Sequence, residues 1–256
     1  VGAALGGAHA LLLLADGTVL ATGTNTKGQL GLGHTTAVDS LTPVPGLKDI
    51  IRVAAGAEHS VALRADGTVF AWGGNGEGQL GNGELDDGAH PEPLHVAHLG
   101  RVVDVAAGTG HVLALEDEGR VRSWGQGSSG QLGHGKSGML GGRAQPVEVL
   151  DVTDATAVFA RAHVGLALGA TGTLWAWGQN SNAQLGDGTT AERPRPVQVQ
   201  GLGPVRAVAP GSLHALATQD TGTSFAWGSD GAGQLGAVTP PTGTPRSSVP
   251  LRVNLP

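Results

Sequence analysis

The amino-acid sequence predicts an all-β protein folded as a β-propeller, an assembly of four-stranded blades around a central channel. Three observations support this prediction: one pattern recurs about every 51 residues, turn signals separate many short apolar runs, and one strand of the pattern is apolar on both faces. Glycine accounts for 45 of the 256 residues while apolar residues make up 39%, so the chain has both the turns and the core that many short strands require.

The repeat is marked by two sets of equivalent residues that run through the whole chain. In each copy a histidine precedes an apolar run, and a Gln-Leu-Gly triplet follows later. The histidines are His9, His59, His111, His163 and His214, and the triplets start at Gln29, Gln79, Gln131, Gln184 and Gln234. A period near 51 residues suits one blade, which divides a single domain into units 1–50, 51–101, 102–154, 155–204 and 205–256.

The second unit predicts four strands in order. Asp66-Gly67 lies between two apolar runs and predicts a tight type I′ hairpin turn, because both residues tolerate positive φ. Pro93 suits the edge position of a short last strand, where a missing backbone N–H has no cost. The four predicted strands are 51–55, 60–64, 68–72 and 93–96.

The third strand of each unit predicts how the blades pack. In the second unit, Val69 and Ala71 point to one side while Phe70 and Trp72 point to the other, and all four are apolar. Such a strand must be covered on both faces, as happens when blades stack beside one another. A bulky layer then packs against a small one. The bulky layer is Leu20, Phe70, Arg122, Trp175 and Phe225, and the small layer is Ala21, Ala71, Ser123, Ala176 and Ala226.

The recurrent tryptophans and histidines are interpreted as structural residues. A tryptophan beside glycine at a fixed repeat position is typical of an inter-blade core. Each repeat histidine is expected to hydrogen-bond the backbone near its own Gly-x-x-His corner. Five blades would hold these rings too far from the axis to share a zinc ion, so no metal site and no cofactor are predicted. The tryptophans are Trp72, Trp124, Trp177 and Trp227.

The segment from Ala54 to Gly83 carries a longer signature. It contains Ala-x-Gly-x-x-His-Ser and then Asp-Gly-x-Val-x-Ala-Trp-Gly-x-Asn-x-x-Gly-Gln-Leu-Gly-x-Gly, and it resembles the regulator of chromosome condensation repeat. Looser copies cover the other four units. The resemblance implies a propeller, usually of seven blades, in a family that includes exchange factors, chromatin binders and ubiquitin-ligase modules. Five units predict five blades here, and we expect a closed five-bladed ring in preference to part of a seven-bladed one.

Composition and motifs exclude several classes of function. The net charge is −6 without any basic run, which disfavours nucleic-acid binding. The chain has no cysteine, and its longest purely aliphatic run, Leu11–Leu14, is too short to span a membrane. It contains no Gly-x-Ser-x-Gly elbow and no phosphate-binding loop ending in Gly-Lys-Ser/Thr, so no catalytic residue is predicted. None of these features identifies a cellular compartment.

The fourth unit departs most from the repeat. Ala160 stands in place of the corner glycine, and one extra residue separates His163 from Gly178. An extra residue in a strand predicts a β-bulge, and bulges often redirect side chains near functional sites. Simple sequence drift in a tolerant repeat is the alternative explanation, and we expect it in preference to a functional role. Arg161 falls at this altered corner, where Glu58 stands in the second unit. We expect both residues near the mouth of the channel.

The stretches before each fourth strand vary in length and character while the rest of the repeat does not. Loops on a rigid scaffold are where recognition residues usually lie. These stretches are 34–42, 84–92, 136–145, 189–195 and 239–249. The predicted interaction surface consists of Glu58, Asp86, Asp87, Lys136, Met139, Arg143, Arg161 and Arg193.

The sequence therefore predicts a non-catalytic propeller scaffold that binds a protein partner through its loops, without nucleic-acid or membrane binding. One alternative is a small-molecule-binding or enzymatic propeller that uses the channel mouth. A second alternative is a guanine-nucleotide exchange factor for a small GTPase, although a large inserted wedge hairpin is lacking. A deep pocket with converging histidine, arginine and carboxylate groups would favour the enzyme.

Overall fold

The computed structural model describes residues 1–236 and 245–253, and in them the fold is all-β. The strands form five separate sheets of four antiparallel strands each, and each sheet follows the order of the sequence. The predicted fold class, with five four-stranded blades, is confirmed. Among the described residues, no helix is long and apolar enough to cross a bilayer.

The strands have the following bounds, numbered in chain order. Blade one contains β1 (Gly2–Leu5), β2 (His9–Leu13), β3 (Val19–Gly23) and β4 (Val38–Pro43). Blade two contains β5 (Ile50–Ala55), β6 (His59–Arg64), β7 (Val69–Asn75) and β8 (Asp86–His95). Blade three contains β9 (Val102–Ala107), β10 (His111–Glu116), β11 (Val121–Gly125) and β12 (Arg143–Glu148), with a 3-10 turn at Gly138–Leu140. Blade four contains β13 (Ala155–Arg161), β14 (Val164–Gly169), β15 (Leu174–Gly178) and β16 (Arg193–Gln198), and blade five contains β17 (Val205–Pro210), β18 (His214–Gln219), β19 (Ser224–Ser229) and β20 (Arg246–Arg252).

The hairpin between the second and third strands has a three-residue loop, so the predicted type I′ turn is wrong. In blade two the amide of Gly67 donates to the carbonyl of Arg64, and the amide of Arg64 donates to the carbonyl of Thr68, both at 2.9 Å. Gly67 has a φ of 93°, whereas Asp66 does not have positive φ. The Asp66 carboxylate instead accepts a hydrogen bond from the Thr68 amide at 2.9 Å, and this Asx-type bond favours a type I turn followed by one left-handed glycine.

The fourth strand of blade two is longer than predicted. It begins at Asp86, because Asn75 continues the third strand and pairs with that residue. Pro93 lies within this strand, which forms the outer edge of its four-stranded sheet. Most of the stretch 84–92 is therefore strand rather than loop.

The hydrophobic core lies between the blades. Four buried clusters join blade one to two, two to three, three to four, and four to five. In the second of these interfaces, Leu63 and Val69 of blade two pack with Val112 and Trp124 of blade three. Strands that are apolar on both faces are buried on both faces, since each middle blade packs against two neighbours.

The packing does not show the expected closed ring. In the part of the chain that the structure describes, no hydrophobic cluster and no hydrogen bond joins blade five to blade one. Leu5 of blade one is 70% exposed, and Leu216 of blade five is partly exposed although its counterpart Val61 in blade two is fully buried. Blade one also has Thr22 where every other blade has tryptophan, so a fifth interface of the same kind would lack its largest side chain. In residues 1–236 and 245–253 the five blades therefore form an arc in which blade five is not packed against blade one.

Candidate functional site

Two kinds of loop meet on one face of the arc. The first and second strands of each blade join at a tight corner, and the third strand ends beside that corner because, for example, His59 pairs with Gly73. The connection from the third to the fourth strand therefore starts on the same side, which we call the corner face. The turns between the second and third strands lie on the opposite side. The eight residues of the predicted interaction surface, Glu58, Asp86, Asp87, Lys136, Met139, Arg143, Arg161 and Arg193, belong to the corners, to these connections or to the ends of the strands beside them.

A shallow depression lies at the centre of the corner face and has a volume of about 150 Å³. Its wall is largely backbone: the amide of Ala57 donates to the carbonyl of Thr109, and the amide of Thr109 donates to the carbonyl of Ala162, both at 2.9 Å. Of the described residues in the lining, Arg161 alone is charged, and Glu58 is not among them. None of these described residues has a carboxylate or imidazole group, so they do not provide the converging groups that the enzymatic alternative requires.

The corner of blade four is shifted in register relative to the sequence pattern, which corrects the predicted bulge. Val164 pairs with Gly178, just as His59 pairs with Gly73, and the pairing continues regularly along β14 and β15. His163 therefore lies in the turn at the position of Glu58, and Val164 takes the place of the repeat histidine. The extra residue between His163 and Gly178 is explained by this shift rather than by a bulge.

Arg161, not Ala160, replaces the corner glycine. Arg161 pairs with Val164 at the end of the hairpin, whereas Ala160 pairs with Gly165 as Ala55 pairs with Ser60. The predicted equivalence of Arg161 with Glu58 is therefore wrong by two positions. The repeat pattern led to this error because His163 is one residue away from the position that the other four histidines occupy.

In the part of the chain that the structure describes, no hydrogen bond joins a repeat histidine ring to the backbone of its own corner, contrary to the prediction. The corner is closed by the backbone itself, since the amide of Gly56 donates to the carbonyl of His59 at 2.9 Å. Both ring nitrogens of His59 and of His111 are buried without a hydrogen-bond partner in the described residues. The ring of His9 is held by the Ser60 hydroxyl of the next blade, with 2.9 Å between Nε2 and Oγ. Burial lowers the pKa of His9 to about 4 and those of His59 and His111 to about 3, so all three rings are neutral at pH 7.

These rings fill space beside glycine. A side-chain carbon at Gly6, Gly56 or Gly108 would overlap the imidazole three residues later. This steric relation also explains blade four, where an arginine at the glycine position is accompanied by the smaller Val164. Within residues 1–236 and 245–253, no three His, Asp or Glu side chains are grouped to hold a metal ion.

The two neighbouring aspartates of blade two, Asp86 and Asp87, have different surroundings. The Asp86 carboxylate accepts hydrogen bonds from the Asn75 amide, the Gly88 backbone and His90 Nε2, each at 2.9 Å. The bonds from Asn75 and His90 lower the pKa of Asp86. Asp87 is exposed, and its carbonyl accepts a hydrogen bond from Lys27 Nζ of blade one at 2.9 Å. Asp86 therefore holds the connection in shape, while the Asp87 carboxylate faces solvent.

Blade three carries an apolar projection on the corner face. Met139 is fully exposed and Leu140 is 67% exposed, both on the 3-10 turn Gly138–Leu140. The guanidinium of Arg143 donates to the carbonyls of Leu140 and Gly142 at 2.8 and 2.7 Å. These two hydrogen bonds stabilise the turn. Lys136 is exposed beside the turn. We call Met139 and Leu140 the apolar tip.

Arg193 of blade four is held inside the connection by Asp187. Its Nε donates to Asp187 Oδ2 at 2.7 Å, and the Asp187 side chain is only 3% exposed. Asp187 also accepts hydrogen bonds from Asn180 and from the Thr189 amide. Burial raises the pKa of Asp187, but the bonds from Arg193, Thr189 and Asn180 together lower it below the usual value. Arg193 is therefore engaged in holding its own loop.

The structure separates the eight predicted residues into two groups. Asp86, Arg143 and Arg193 hold loops in place, whereas the side chains of Glu58, Asp87, Lys136, Met139 and Arg161 are exposed. Sequence reasoning missed Leu140 and Leu85, which are exposed on the same face. The sequence does contain a signal for these two leucines. Each is an apolar residue in a variable connection, at a position where the strand pattern predicts no core side chain. The stretch 239–249 was also predicted to be variable, and residues 239–244 of it lie outside the described part of the chain.

The chain belongs to the RCC1-like domain family, whose model matches residues 1–255. It is 36% identical over 189 residues to the probable E3 ubiquitin-protein ligase HERC6 of Homo sapiens, a match that covers 72% of this chain and 18% of HERC6. It is 38% identical over 99 residues to the mitochondrial RCC1 domain-containing protein RUG3 of Arabidopsis thaliana, covering 37% of this chain and 22% of RUG3. The matched region is thus about a fifth of the length of HERC6.

Solved structures show the same architecture. Human WBSCR16 superposes with a TM-score of 0.84 at 29% identity, over 98% of this chain and 65% of the WBSCR16 chain. Prp20p of Saccharomyces cerevisiae superposes with a TM-score of 0.78 at 20% identity, over 99% of this chain and 76% of its own. The similarity to Prp20p concerns the fold alone.

Proposed function

We propose that this RCC1-like domain is a non-catalytic scaffold that binds a protein partner through its corner face, with the apolar tip as the central contact. The observation that carries the proposal is the exposure of Met139 and Leu140 on a turn held rigid by Arg143. An exposed apolar anchor on a pre-organised turn loses little entropy on binding. Methionine also adapts its shape to a partner surface.

The charges around the tip suit a mixed interface with a polar rim. Lys136 lies beside the tip, and Arg161 projects at the central depression, whereas blade two presents the exposed Glu58 and Asp87. Neither Glu58 nor Arg161 forms an ion pair with any residue in the described part of the chain. Such charges at the rim of an interface steer association and select partners.

The relatives support the same class of function. HERC6 carries its matching region within a much longer E3 ubiquitin-protein ligase. That activity belongs to HERC6. For this chain the similarity favours protein binding as the role of the corner face, and the described residues that line the central depression include no carboxylate or imidazole group, which disfavours the enzymatic alternative.

The proposal is tested by site-specific photo-crosslinking in extract of the source organism, with a photoreactive residue placed at position 139. The matched control carries the same residue at Leu41, which is 49% exposed on the outer strand of blade one. We expect a protein adduct at position 139 that is absent at position 41 and is lost when Leu140→Ser is added. Equal adducts at both positions, or none at position 139, would contradict the proposal. Nucleotide release measured on a panel of small GTPases tests the exchange-factor alternative separately.

A further inference from the structure

On the corner face, backbone hydrogen bonds join the corners of successive blades, and one bond of this series is missing. The amide of Gly7 donates to the carbonyl of Ala57 at 3.2 Å, that of Ala57 to Thr109 at 2.9 Å, and that of Thr109 to Ala162 at 2.9 Å. The next bond would run from the Ala162 amide to the carbonyl of Ser212 in blade five. Neither group has a hydrogen-bond partner in the described part of the chain. The series therefore ends at the junction of blades four and five.

The corner of blade four also has a different backbone conformation. Ala162 has a φ of 48°, in the left-handed region. The equivalent residues of the other corners do not have positive φ, and they are Gly7, Ala57, Thr109 and Ser212. A residue with a β-carbon is strained in this region, and such strain clusters at binding and active sites. The altered turn accompanies Arg161, which stands where the other corners have glycine.

Three hydrogen-bond donors are left at this junction. Arg161, Ala162 and Ser212 all line the central depression. They contribute a guanidinium, a backbone amide and a hydroxyl group, and none of these groups has a hydrogen-bond or ion-pair partner within residues 1–236 and 245–253. Arg143 and Arg193, in contrast, are held by their own loops. The described lining thus offers several donors and one positive charge, without a carboxylate to neutralise it.

These groups match a single carboxylate. A guanidinium and a carboxylate form two parallel hydrogen bonds, and a backbone amide can donate to the same anion. A depression of about 150 Å³ admits a group of a few heavy atoms, since one water molecule occupies about 30 Å³. One positive charge balances a monoanion, whereas a phosphate dianion would keep a negative charge beside a protein whose own net charge is −6.

We propose that the central depression is a carboxylate-binding site, in which the guanidinium of Arg161 pairs with the carboxylate and the Ala162 amide and Ser212 hydroxyl donate to it. The inference rests on the proposed function in one respect, because the carboxylate belongs to the protein partner of the corner face. It comes from an acidic side chain or from the carboxyl end of the partner chain. A chain end also supplies an N–H, next to its carboxylate, for the Ser212 carbonyl.

The test titrates the isotope-labelled full chain with small probes at constant ionic strength. N-acetylglycine represents a chain end, N-acetylaspartic acid α-amide represents an acidic side chain, and N-acetylglycinamide is the uncharged control. We expect saturable NMR shifts of the Ala162 amide and the Arg161 Nε–H with at least one of the two carboxylates, and the tighter one identifies the source. The absence of saturable shifts with both, or equal shifts with the control, would overturn the proposal.

Substitution of the arginine tests its role. Arg161→Gln removes the charge and keeps a polar side chain, and we expect it to weaken carboxylate binding by at least about 10-fold, because hydrogen bonds to charged groups are the stronger ones. Arg206→Gln is the matched control, since Arg206 is exposed on β17 outside the lining, and it should leave the affinity unchanged. Equal affinities of the two variants would overturn the assignment of Arg161. Tighter binding of inorganic phosphate than of either carboxylate would overturn the ligand class.

The titration is independent of the protein partner, so its failure is distinct from failure of the proposed function. Carboxylate binding without a specific adduct at position 139 would contradict the proposed function and support the carboxylate site. A specific adduct at position 139 without carboxylate binding would support the proposed function and overturn the site.

Discussion

The imidazole of His59 lies against the α-carbon of Gly56, in the space that any side chain at position 56 would need. The same relation joins Gly6 to His9 and Gly108 to His111. The ring nitrogens of His59 have no hydrogen-bond partner among the described residues, so the histidine acts at the corner through its shape. In blade four both residues of this pair differ, because Arg161 stands at the glycine position and Val164 at the histidine position.

Gly56→Ala is expected to destabilise the protein by about 1–3 kcal/mol, because the added methyl group overlaps a buried ring that cannot move aside. Urea unfolding measures the loss. Gly231→Ala is the control, since no described atom lies within 4 Å of its side-chain position, and it should change stability by less than about 0.5 kcal/mol. Adding His59→Val should recover part of the loss, as Val164 does beside Arg161. Two independent, additive effects would contradict the steric coupling.

The buried histidines predict loss of stability in mild acid. Folding lowers the pKa of His9 to about 4 and those of His59 and His111 to about 3, against an ordinary value near 6.5. Below about pH 6.5 the unfolded chain binds protons that the folded chain does not, so the stability present above pH 6.5 is lost as the pH falls toward 4. Each histidine can contribute up to about 1.4 kcal/mol per pH unit.

Unfolding free energies at pH 7, 6 and 5 test this expectation. His59→Val should reduce the slope between pH 6 and 5, because it removes one of the three titrating groups and leaves an apolar side chain, as at Val164. A stability that does not change between pH 7 and 5 would show that the rings are accessible to protons in the folded state.

One substitution is expected to have different effects at two equivalent glycines. Gly186→Asn should cost about 3 kcal/mol, since its side chain would overlap the indole of Trp227 that packs beside this glycine. Gly236→Asn should change the free energy of unfolding by less than about 0.5 kcal/mol, because Val253 is the only described residue within 4 Å of its side-chain position. Equal losses in thermal or urea unfolding would mean that backbone strain, rather than the indole, decides the cost.

The ion pair of Arg193 with Asp187 is expected to matter more than that of Arg195 with Asp151. Arg193→Met leaves the buried Asp187 carboxylate without its charged partner and should cost about 2–4 kcal/mol, while raising the pKa of Asp187. Arg195→Met breaks a pair in which both side chains are about half exposed and should cost less than about 1 kcal/mol. Urea unfolding compares the two variants, and NMR titration follows Asp187. A larger loss for Arg195→Met would contradict this ranking.

Much of the fold could be predicted because the signals for it are local. Turn glycines and alternating side chains each act over a few residues, and their recurrence with a period near 51 residues identifies five blades. The type of hairpin turn was wrong because Asp66-Gly67 is compatible with two loop geometries, and a side-chain hydrogen bond to Thr68 selects one of them. The length of β8 was missed because Asn75 and Asp86 pair across a connection that the sequence pattern shows only as variable.

The surface was harder to predict than the strands. Variable connections located the corner face in general, but the sequence does not distinguish an arginine that clamps its own loop from one that projects outward. Arg143 and Arg193 are engaged by carbonyl and carboxylate groups, whereas Arg161 is exposed. These roles depend on which backbone groups lie within reach once the loop is folded.

The sequence by itself determined the all-β class, the four strands of each blade and the number of blades, because these follow from turn chemistry and side-chain alternation within each repeat. The tertiary structure alone decided the register of His163 and Val164, the role of the histidine rings, and the absence, among the described residues, of a hydrophobic cluster that joins blade five to blade one. These depend on packing between residues about fifty positions apart. The repeated histidine made position 163 look equivalent to the others, and only the pairing of Val164 with Gly178 shows that it is not.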